Sequence, residues 1–295
     1  MKIVKIYGGL GNQMFQYAFA KELNNKFPNE VFIDTIWGNK NTIHHGYELD
    51  KLFNIDLNEA DVKSIKELST SPDNFFLKIK RKYFTKKTHY IDKDFIFSDK
   101  VFNQSKNCYY EGYWQSEDFF SSVKEQIKNI YQFKLPLDKE NQDLLSKLGN
   151  NSLSIHVRRG DYLKEKSLNI CNLDYYKNAL NKILKEEKIT GIIFFSNDID
   201  WVKENINTEN IPTYYSTKNL GKDSWKDMAL MSLCSHNIIA NSSFSWWAAY
   251  LNNNPTKKIL CPEIWGLSSP KNSYYHFDFS RVTPKEWIKV PIEKL

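Results

Sequence analysis

The chain has 295 residues, of which 41% are hydrophobic and 26% charged, so it is long enough for one large domain or two smaller ones and has the composition of a soluble globular protein. Its net charge of +6 hints at an anionic ligand or surface, but no recognisable nucleic-acid-binding motif accompanies it, and no nucleic-acid partner is expected. The sequence contains no run of about 18 apolar residues, so no transmembrane helix is expected. The first residues also form too short an apolar run for a signal peptide, so we expect a cytoplasmic protein.

The four cysteines are widely spaced and include no CxxC pair. They are Cys108, Cys171, Cys234 and Cys261. This spacing is typical of buried free thiols in a reducing compartment, and it argues against a disulfide framework or a zinc site.

Much of the positive charge lies between residues 78 and 87. It is carried by Lys78, Lys80, Arg81, Lys82, Lys86 and Lys87. A solvated helix face or loop is the ordinary explanation of such a run. The alternative is a peripheral contact with the anionic inner face of the membrane, where each basic residue adds about 1 kcal/mol of attraction.

The first 35 residues predict a strand–helix–strand unit, which is typical of a parallel sheet covered by helices. Residues 2–7 form a short apolar strand, and glycines then allow a tight turn. Apolar residues recur at helical spacing over 12–23, Pro28 ends the helix, and 31–34 is the next strand.

Residues 40–150 show weaker patterns. They predict helices over 59–68 and 119–130 and a strand within 107–114. The run Gly149-Asn150-Asn151 interrupts the pattern and predicts a domain boundary near residue 150.

Strands and helices alternate regularly after residue 150, as in a doubly wound parallel sheet. The predicted strands are 152–157, 192–196, 213–216, 237–240 and 257–261, and the predicted helices are 174–186, 200–206, 222–234 and 243–251. We therefore predict an α/β protein with two Rossmann-like domains facing a cleft, 1–150 and 151–295, whose C-terminal segment packs back on the first domain. Open parallel sheets bind ligands at the carboxyl ends of their strands.

A glycine-rich segment, 8–13, lies where the first strand gives way to a helix. Its backbone can approach a ligand that faces the helix N-terminus. The segment lacks both the G-x-G-x-x-G dinucleotide pattern and the Lys-Ser/Thr ending of a phosphate loop, which argues against a P-loop kinase or sulfotransferase. A purely structural turn explains it about equally well.

Two adjacent arginines, Arg158 and Arg159, follow the strand 152–157. Guanidinium groups grip phosphate oxygens with paired hydrogen bonds, each worth about 1.5–3 kcal/mol. The structural alternative is an ion pair within the segment, such as Arg159 with Asp161. We expect both: one arginine on phosphate and the other held structurally.

The segment 241–244 follows the strand 237–240 and begins the next helix. Asn241 and Ser242 are natural helix caps, and free amides with serine hydroxyls also offer an anion site. Because this segment and the arginines should open onto one sheet edge, two anion-binding elements there indicate a diphosphate ligand. Trp246 and Trp247 are assigned to the core.

Asp198 lies at the tip of the strand 192–196, where a carboxylate can accept hydrogen bonds from a nucleobase or ribose. Asp198 and Asp200 also match the D-x-D pattern with which many glycosyltransferases hold a divalent metal. Three-residue patterns are frequent by chance, and Asp200 is also a plausible cap of the next helix.

Together these segments resemble the family 11 glycosyltransferases, the bacterial α-1,2-fucosyltransferases. The resemblance runs along the whole chain and rests on 8–21, 156–162, 196–198 and 242–251. The His-x-Arg-Arg-x-Asp segment is also similar to one in α-1,6- and protein O-fucosyltransferases, which share a GT-B-like fold and need no metal. The resemblance implies an inverting, cofactor-free transferase that moves L-fucose from GDP-β-L-fucose to the 2-hydroxyl of galactose in a glycan acceptor. The acceptor stays open between a galactose-ended repeat unit on a lipid carrier, as in O-antigen biosynthesis, a milk-type oligosaccharide and another glycan.

The resemblance also implies roles for individual residues. Arg158 would contact the GDP phosphates and Asn12 the reacting centre, so both are predicted catalytic residues. The predicted donor-binding residues are His156 and Asp198 at the guanine, with Arg159, Asn241, Ser242, Ser243, Phe244, Gly9 and Gly11. No metal site is implied, because Asp198 and Asp200 have no metal role in a GT-B-like fold.

The sequence does not identify a general base. Candidates are Asp34, His44, His45 and Glu48, and a dissociative path with little base assistance is an equal alternative. Two competing functions stay open: a metal-dependent transferase that uses Asp198 and Asp200, and a non-catalytic protein that binds a GDP-sugar or a glycan.

Overall fold

The structure is a computed structural model that describes residues 1–37, 45–70, 85–92, 96–104, 106–267 and 279–292. The chain divides into two compact units, Met1–Lys134 with Ser269–Arg281, and Leu135–Ser268 with Val282–Leu295. Each unit is built on one parallel sheet with helices, which confirms the predicted class of two α/β domains. The GT-B placement of the units about a cleft stays a prediction.

The first unit contains a four-stranded parallel sheet of order β2-β1-β4-β3. Its strands are β1 (Lys2–Lys5), β2 (Val31–Asp34), β3 (His89–Ile91) and β4 (Cys108–Glu111). Its helices are Leu10–Lys26, Leu49–Leu52, Val62–Leu68 and Lys124–Ile130, with 3-10 turns at Asp99–Val101 and Glu117–Val123. The helix Leu10–Lys26 is buried on nearly all sides, because it packs on β1 and β2 and also against Glu117–Val123.

The second unit contains a six-stranded parallel sheet of order β10-β9-β8-β5-β6-β7. Its strands are β5 (Ser152–Val157), β6 (Gly191–Ser196), β7 (Thr213–Ser216), β8 (His236–Ile238), β9 (Ile259–Pro262) and β10 (Ile288–Val290). Its helices are Lys139–Lys147, Leu173–Glu186, Ile199–Asn205, Trp225–Leu233 and Ser243–Tyr250, with 3-10 turns at Gly160–Lys164 and Gly221–Asp223. β5 lies inside the sheet and all its residues are buried, as expected for a strand covered on both faces.

The units divide between Lys134 and Leu135, earlier than the boundary predicted near residue 150. The helix Lys139–Lys147 belongs to the second unit, where Asp138 at its start accepts a hydrogen bond of 2.8 Å from Lys226. Gly149, with φ of +74°, follows this helix. The glycine therefore ends a helix inside the second unit, which is a common use of a left-handed residue, and does not mark a domain boundary.

Several smaller expectations concern the surface and the cysteines. The four cysteines are buried free thiols, as predicted. In the described ranges, no helix is long and apolar enough to cross a bilayer.

The basic stretch is described only in part. Residues 78–84 lie outside the described residues, and Lys86 donates from Nζ to the carbonyls of Lys66 (2.8 Å) and Glu67 (3.0 Å). Lys86 therefore stabilises the carboxyl end of the helix Val62–Leu68.

Candidate functional site

Three of the predicted segments lie at one edge of the second sheet. β5 pairs with β6 on one side and with β8 on the other, and all three strands are parallel. Their carboxyl ends therefore lie side by side, and the chain leaves them at Arg158, Asn197 and Ile239. This edge, with Asn241–Phe244 beyond β8, is here called the donor edge.

The two arginines at the donor edge are held differently. Arg159 donates from Nε to Asp198 at 3.0 Å and from its backbone N–H to Asn197 at 3.0 Å, and its guanidinium lies 3.9 Å from the Trp201 ring centroid. Arg158 donates to Asp161 at 2.9 Å. The ion pair within the segment is thus Arg158–Asp161 and not the expected Arg159–Asp161, because the Arg159 side chain turns toward the end of β6.

Gly160 allows the loop after β5 to lie directly against the loop after β6. Its φ is +47°, and a Cβ at this position would lie 2.1 Å from Nδ2 of Asn197. A side chain at this position would be strained by the backbone conformation and would require Asn197 to move. The loop that carries the arginines therefore depends on a glycine that the sequence analysis did not select.

Two buried polar atoms at the donor edge have no hydrogen-bond partner among the described residues, His156 Nδ1 and Arg158 Nε. Burial and the nearby Arg158 lower the pKa of His156 to about 3, so the imidazole is neutral at pH 7. The His156 ring lies 6.1 Å from the ring of Phe244. Because buried polar atoms are almost always paired, these two indicate that the edge accommodates a polar ligand.

The Asn241 side chain is used within the protein, and donor binding by this residue stays a prediction. Its amide nitrogen donates to the carbonyls of Leu168 (2.9 Å) and Trp265 (3.0 Å), and its oxygen accepts from the Cys171 thiol at 3.4 Å. The buried Asn241 side chain therefore connects the segments that contain Leu168 and Trp265. Its carbonyl accepts from the Tyr162 hydroxyl at 3.3 Å, which links it to the arginine loop.

Ser242, Ser243 and Phe244 form the N-terminal end of the helix Ser243–Tyr250. Ser242 caps this helix by accepting from the Phe244 N–H at 3.4 Å. Ser243 and Phe244 are half-buried, while Trp246 and Trp247 are fully buried core residues, as predicted. The N-terminal end of this helix therefore places the positive end of the helix dipole at the donor edge.

The two carboxylates of the D-x-D pattern have different surroundings. Asp198 accepts from the Trp201 N–H at 3.3 Å and from Arg159, so it caps the helix Ile199–Asn205 and anchors the arginine. The Asp200 side chain is 94% exposed and lies 3.8 Å from Lys203. The part of the chain that the structure describes contains no group of three or more His, Cys, Asp or Glu side chains placed to hold a metal.

Asp227 is a further candidate for the site, which the sequence analysis missed. It accepts from the Ser216 hydroxyl at 2.6 Å and from Asn219 at 2.8 Å, which places it at the carboxyl end of β7, the strand beside β6. Burial raises its pKa to about 6 despite these hydrogen bonds. Its position in an apolar helix, within Trp-Lys-Asp-Met-Ala-Leu, was the only signal in the sequence.

The glycine segment of the first unit is held by hydrogen bonds with two glutamines, which the sequence analysis also did not identify. The Gln13 amide donates to the carbonyls of Gly8 (2.9 Å) and Gly46 (2.7 Å), and Gln16 accepts from the Tyr7 N–H at 2.8 Å. Gly9 precedes the helix Leu10–Lys26, which has no side-chain cap, and Gly11 lies in its first turn. Asn12 accepts from Gln115 at 2.8 Å.

The candidates for a general base differ in their surroundings. Asp34 is anchored, because it accepts from the Tyr109 hydroxyl at 2.6 Å and the Ile36 N–H at 2.9 Å. His44 lies outside the described residues, and His45 is exposed. Burial raises the pKa of Glu48 to about 7, which is the range suited to a general base near neutral pH.

The sequence profile of glycosyl transferase family 11 matches residues 1–288. The chain belongs to glycosyl transferase family 11. The Escherichia coli alpha-1,2-colitosyltransferase is 34% identical to this family 11 protein over 98% of both chains. The Escherichia coli O-antigen biosynthesis glycosyltransferase WbnK is 30% identical over 96% of this chain and 98% of its own.

A more distant relative of this family 11 protein is the galactoside alpha-(1,2)-fucosyltransferase 1 of Alouatta belzebul, 29% identical over 49% of this chain and 43% of its own. Among solved structures, the NodZ alpha-1,6-fucosyltransferase of Bradyrhizobium, soaked with GDP-fucose, aligns with 85% of this chain and 91% of its own at 14% identity and a TM-score of 0.49. The family membership makes the chain a glycosyltransferase, and the resemblance seen in its motifs is confirmed.

Proposed function

We propose that this family 11 glycosyltransferase is an inverting galactoside α-1,2-fucosyltransferase, which transfers L-fucose from GDP-β-L-fucose to the 2-hydroxyl of a galactose residue. The proposal is carried by the unpaired polar atoms of His156 and Arg158 beside a helix N-terminus at the donor edge. Relatives named for α-1,2 transfer of colitose and of fucose support the linkage.

In this proposal the donor diphosphate lies along the donor edge. Arg158 is the arginine available to the phosphates, because its partner Asp161 is a surface carboxylate with 60% of its side chain exposed. The guanidinium would exchange this exposed ion pair for phosphate oxygens, whose geometry it matches with paired hydrogen bonds. Ser242 and Ser243 add hydroxyls and the helix N-terminus.

The guanine base requires acceptors, since its N1–H and its amino group are donors. Asp198 and Asp227 are carboxylates at the ends of the neighbouring strands β6 and β7. The neutral His156 contributes one donor and one acceptor. Asp227 is therefore added to His156 and Asp198 as a proposed base-binding residue.

Transfer separates GDP from the sugar and builds negative charge on the phosphate. Arg158 and the amides at the start of the helix Ser243–Tyr250 would stabilise this charge. The acceptor hydroxyl attacks the opposite face and turns the β linkage of the donor into an α linkage. In the first unit, Glu48 is proposed to accept the hydroxyl proton and Asn12 to hold a sugar hydroxyl, and no metal or cofactor takes part.

The acceptor and the location belong to the same proposal. We place a galactose-containing, lipid-linked glycan at the cytoplasmic face of the membrane, with the basic stretch 78–87 in peripheral contact. Lys87 is exposed, whereas Lys86 is bound to two carbonyls of its own unit.

A second donor is favoured by one observation, the relative named as an alpha-1,2-colitosyltransferase. Colitose is fucose without its 3-hydroxyl, so GDP-colitose would fit the same diphosphate and guanine contacts. A site that hydrogen-bonds the 3-hydroxyl rejects the analogue that lacks it, because polar groups are then left unpaired. Competition between the two donors therefore decides which sugar is transferred.

The deciding experiment offers GDP-fucose and GDP-colitose to a panel of galactose-terminated oligosaccharides in the presence of EDTA, and determines the product linkage by NMR. An α-1,2-fucosylated product would establish donor, linkage and metal independence together. Preferred transfer of colitose would replace the donor. Binding of GDP-fucose without any transfer would favour a non-catalytic binding protein. The absence of both binding and transfer would rule out GDP-fucose as the donor.

Asp200→Ala is expected to leave kcat within about twofold, with and without EDTA, because this exposed side chain anchors nothing at the donor edge. Asp198→Ala is the matched variant in the same pattern, and it should weaken GDP binding because Arg159 loses its ion pair. Loss of activity in both variants together with inhibition of the native enzyme by EDTA would establish the metal-dependent alternative.

Asp227→Asn is expected to weaken GDP binding about tenfold and, at the same time, to stabilise the protein at pH 7.5. Burial raises the pKa of the carboxyl from 3.8 to about 6. The folded state thus holds the proton more tightly than the unfolded chain. Ionisation of Asp227 therefore lowers the free energy of unfolding as the pH rises from about 4 to about 6, by about 1–3 kcal/mol in total. The gain in the asparagine variant should shrink toward pH 4.

Calorimetry with GDP and thermal unfolding across this pH range test both halves of this prediction. Asp223→Asn is the matched control from the 3-10 turn just before the same helix, since Asp223 is an exposed partner of Lys226, and it should change neither quantity appreciably. Stabilisation with unchanged GDP binding would show that Asp227 does not contact the base.

A further inference from the structure

Three aromatic side chains meet at the carboxyl edge of the first sheet. Tyr7 follows β1, Trp37 follows β2 and Tyr113 follows β4, and these three strands are adjacent and parallel. The Tyr7 ring centroid lies 6.1 Å from that of Trp37, edge to face, and 5.1 Å from that of Tyr113, tilted by 43°. These residues are here called the aromatic cluster.

The aromatic cluster differs from the aromatic core of the same unit. Phe19, Tyr110 and Trp114 pack together and are 0% exposed, whereas all three rings of the cluster are half-buried. Partly accessible rings at the ligand-binding edge of a parallel sheet remove less apolar surface from water than fully enclosed rings do, and so contribute less to the core. Their position therefore calls for an explanation other than core packing.

Polar side chains lie beside the aromatic cluster. Asn12 accepts from Gln115, two residues after Tyr113, at 2.8 Å, and a Cβ on Gly8, next to Tyr7, would lie 3.0 Å from the Asn12 amide nitrogen. On the other side, Lys5 lies 4.9 Å from the Tyr7 ring centroid and 3.3 Å from Glu111. Apolar ring surface is thus next to neutral amides and to a charged pair.

This combination matches the chemistry of a pyranose ring. A galactoside has an apolar face of C–H groups, which packs on aromatic rings, and a rim of hydroxyls that both donate and accept hydrogen bonds. The amides of Asn12 and Gln115 can do both. A nucleobase would also stack on aromatic rings, but the diphosphate that accompanies it would meet Glu111 and no arginine within this cluster.

We propose that the aromatic cluster, with Asn12 and Gln115, is the subsite that binds the galactoside ring of the acceptor. The inference rests on the proposed function for the identity of the sugar, and it goes beyond it by naming the residues that determine acceptor binding. Trp37 and Tyr113 form the stacking platform, and Tyr7 holds the two rings in place.

The test compares Trp37→Ala, Trp37→Phe and Tyr113→Ala with the native enzyme. We expect the alanine variants to raise KM for lactose at least tenfold while KM for GDP-fucose changes less than twofold. Trp37→Phe should recover most of the loss, because a smaller ring keeps a stacking face. Phe133→Ala is the matched control, a half-buried ring of the same unit that packs on Phe53 at 5.0 Å, and it should leave both KM values unchanged.

Saturation-transfer NMR with lactose and methyl β-galactoside, without donor, gives a second readout that does not depend on turnover. Saturation of the galactose protons should be strong with the native protein and with Phe133→Ala, and lost in Trp37→Ala. Unchanged KM for lactose in both alanine variants, or equal saturation with and without Trp37, would overturn the proposal. Far-UV circular dichroism and thermal unfolding verify that each variant is folded.

Failure of this inference is distinguishable from failure of the proposed function. If no fucose is transferred but Trp37→Ala still abolishes lactose saturation, the subsite stands and the donor assignment fails. If fucose is transferred normally and none of the cluster variants affects lactose, the subsite fails and the fucosyltransferase stands.

Discussion

Arg158→Ala is expected to lower kcat for fucose transfer by about 10²–10³-fold, the cost of losing one group that stabilises charge developing in a transition state. The Arg158 side chain has an unpaired buried Nε, an ion pair to the exposed Asp161 and a contact with the Tyr162 ring at 5.3 Å, so its removal leaves no buried hydrogen-bond partner unsatisfied. Far-UV circular dichroism should therefore be unchanged. Steady-state kinetics with GDP-fucose and lactose measure the loss.

Two further arginine variants make this prediction specific. Arg158→Lys keeps the charge without the planar fork and should recover only part of the activity. Arg281→Ala is the matched control, because Arg281 also has an ion pair, to Asp118 at 3.0 Å, and an aromatic neighbour, Phe97. A loss below about tenfold in Arg158→Ala, or an equal loss in Arg281→Ala, would remove the phosphate role of Arg158.

Gly160→Ala is expected to weaken GDP binding by about 10–100-fold. The new methyl group would lie 2.1 Å from the Asn197 amide nitrogen at a φ of +47°, so Asn197 must move, and the Arg159 N–H that donates to Asn197 loses its partner. A lost hydrogen bond and backbone strain each cost about 1–3 kcal/mol. Calorimetry with GDP measures the change in affinity.

Gly221→Ala separates the steric effect from backbone strain. Gly221 also has a positive φ, +63°, but a Cβ there would meet nothing within 4 Å. We expect Gly221→Ala to reduce stability slightly and to leave GDP affinity unchanged. Equal GDP affinities in the two alanine variants would contradict a role of Gly160 in shaping the donor edge.

The sequence predicted the second sheet well because most of its strands are short apolar runs that alternate with helical segments. The predicted strands 152–157 and 213–216 agree with β5 and β7 in both bounds, and 31–34 agrees likewise with β2 of the first sheet. β3 and β10 escaped prediction, since His-Tyr-Ile and Ile-Lys-Val are only three residues long and are recognisable only through the neighbouring strands that they pair with.

The site was predictable in its motifs but not in its contacts. Adjacent arginines after a strand indicate an anion site, yet nothing in their order shows which one stacks on Trp201 and which one keeps a surface partner. Asn241 has the residue type of a ligand-binding cap, but its side chain is consumed by carbonyls 73 and 24 residues away. Asp227 is brought to the end of β7 only by the tertiary fold, in which it accepts hydrogen bonds from Ser216 and Asn219.

The fixation of Arg159 has a consequence for the entropy of donor binding. A free arginine side chain carries about 2 kcal/mol of rotamer entropy. Arg159 gives up this freedom when the protein folds, because Asp198 and Trp201 hold its side chain at two places before any ligand arrives. If the donor binds as proposed, Arg159 needs no further ordering, and the entropic cost falls on Arg158, which would have to leave Asp161 for the phosphates.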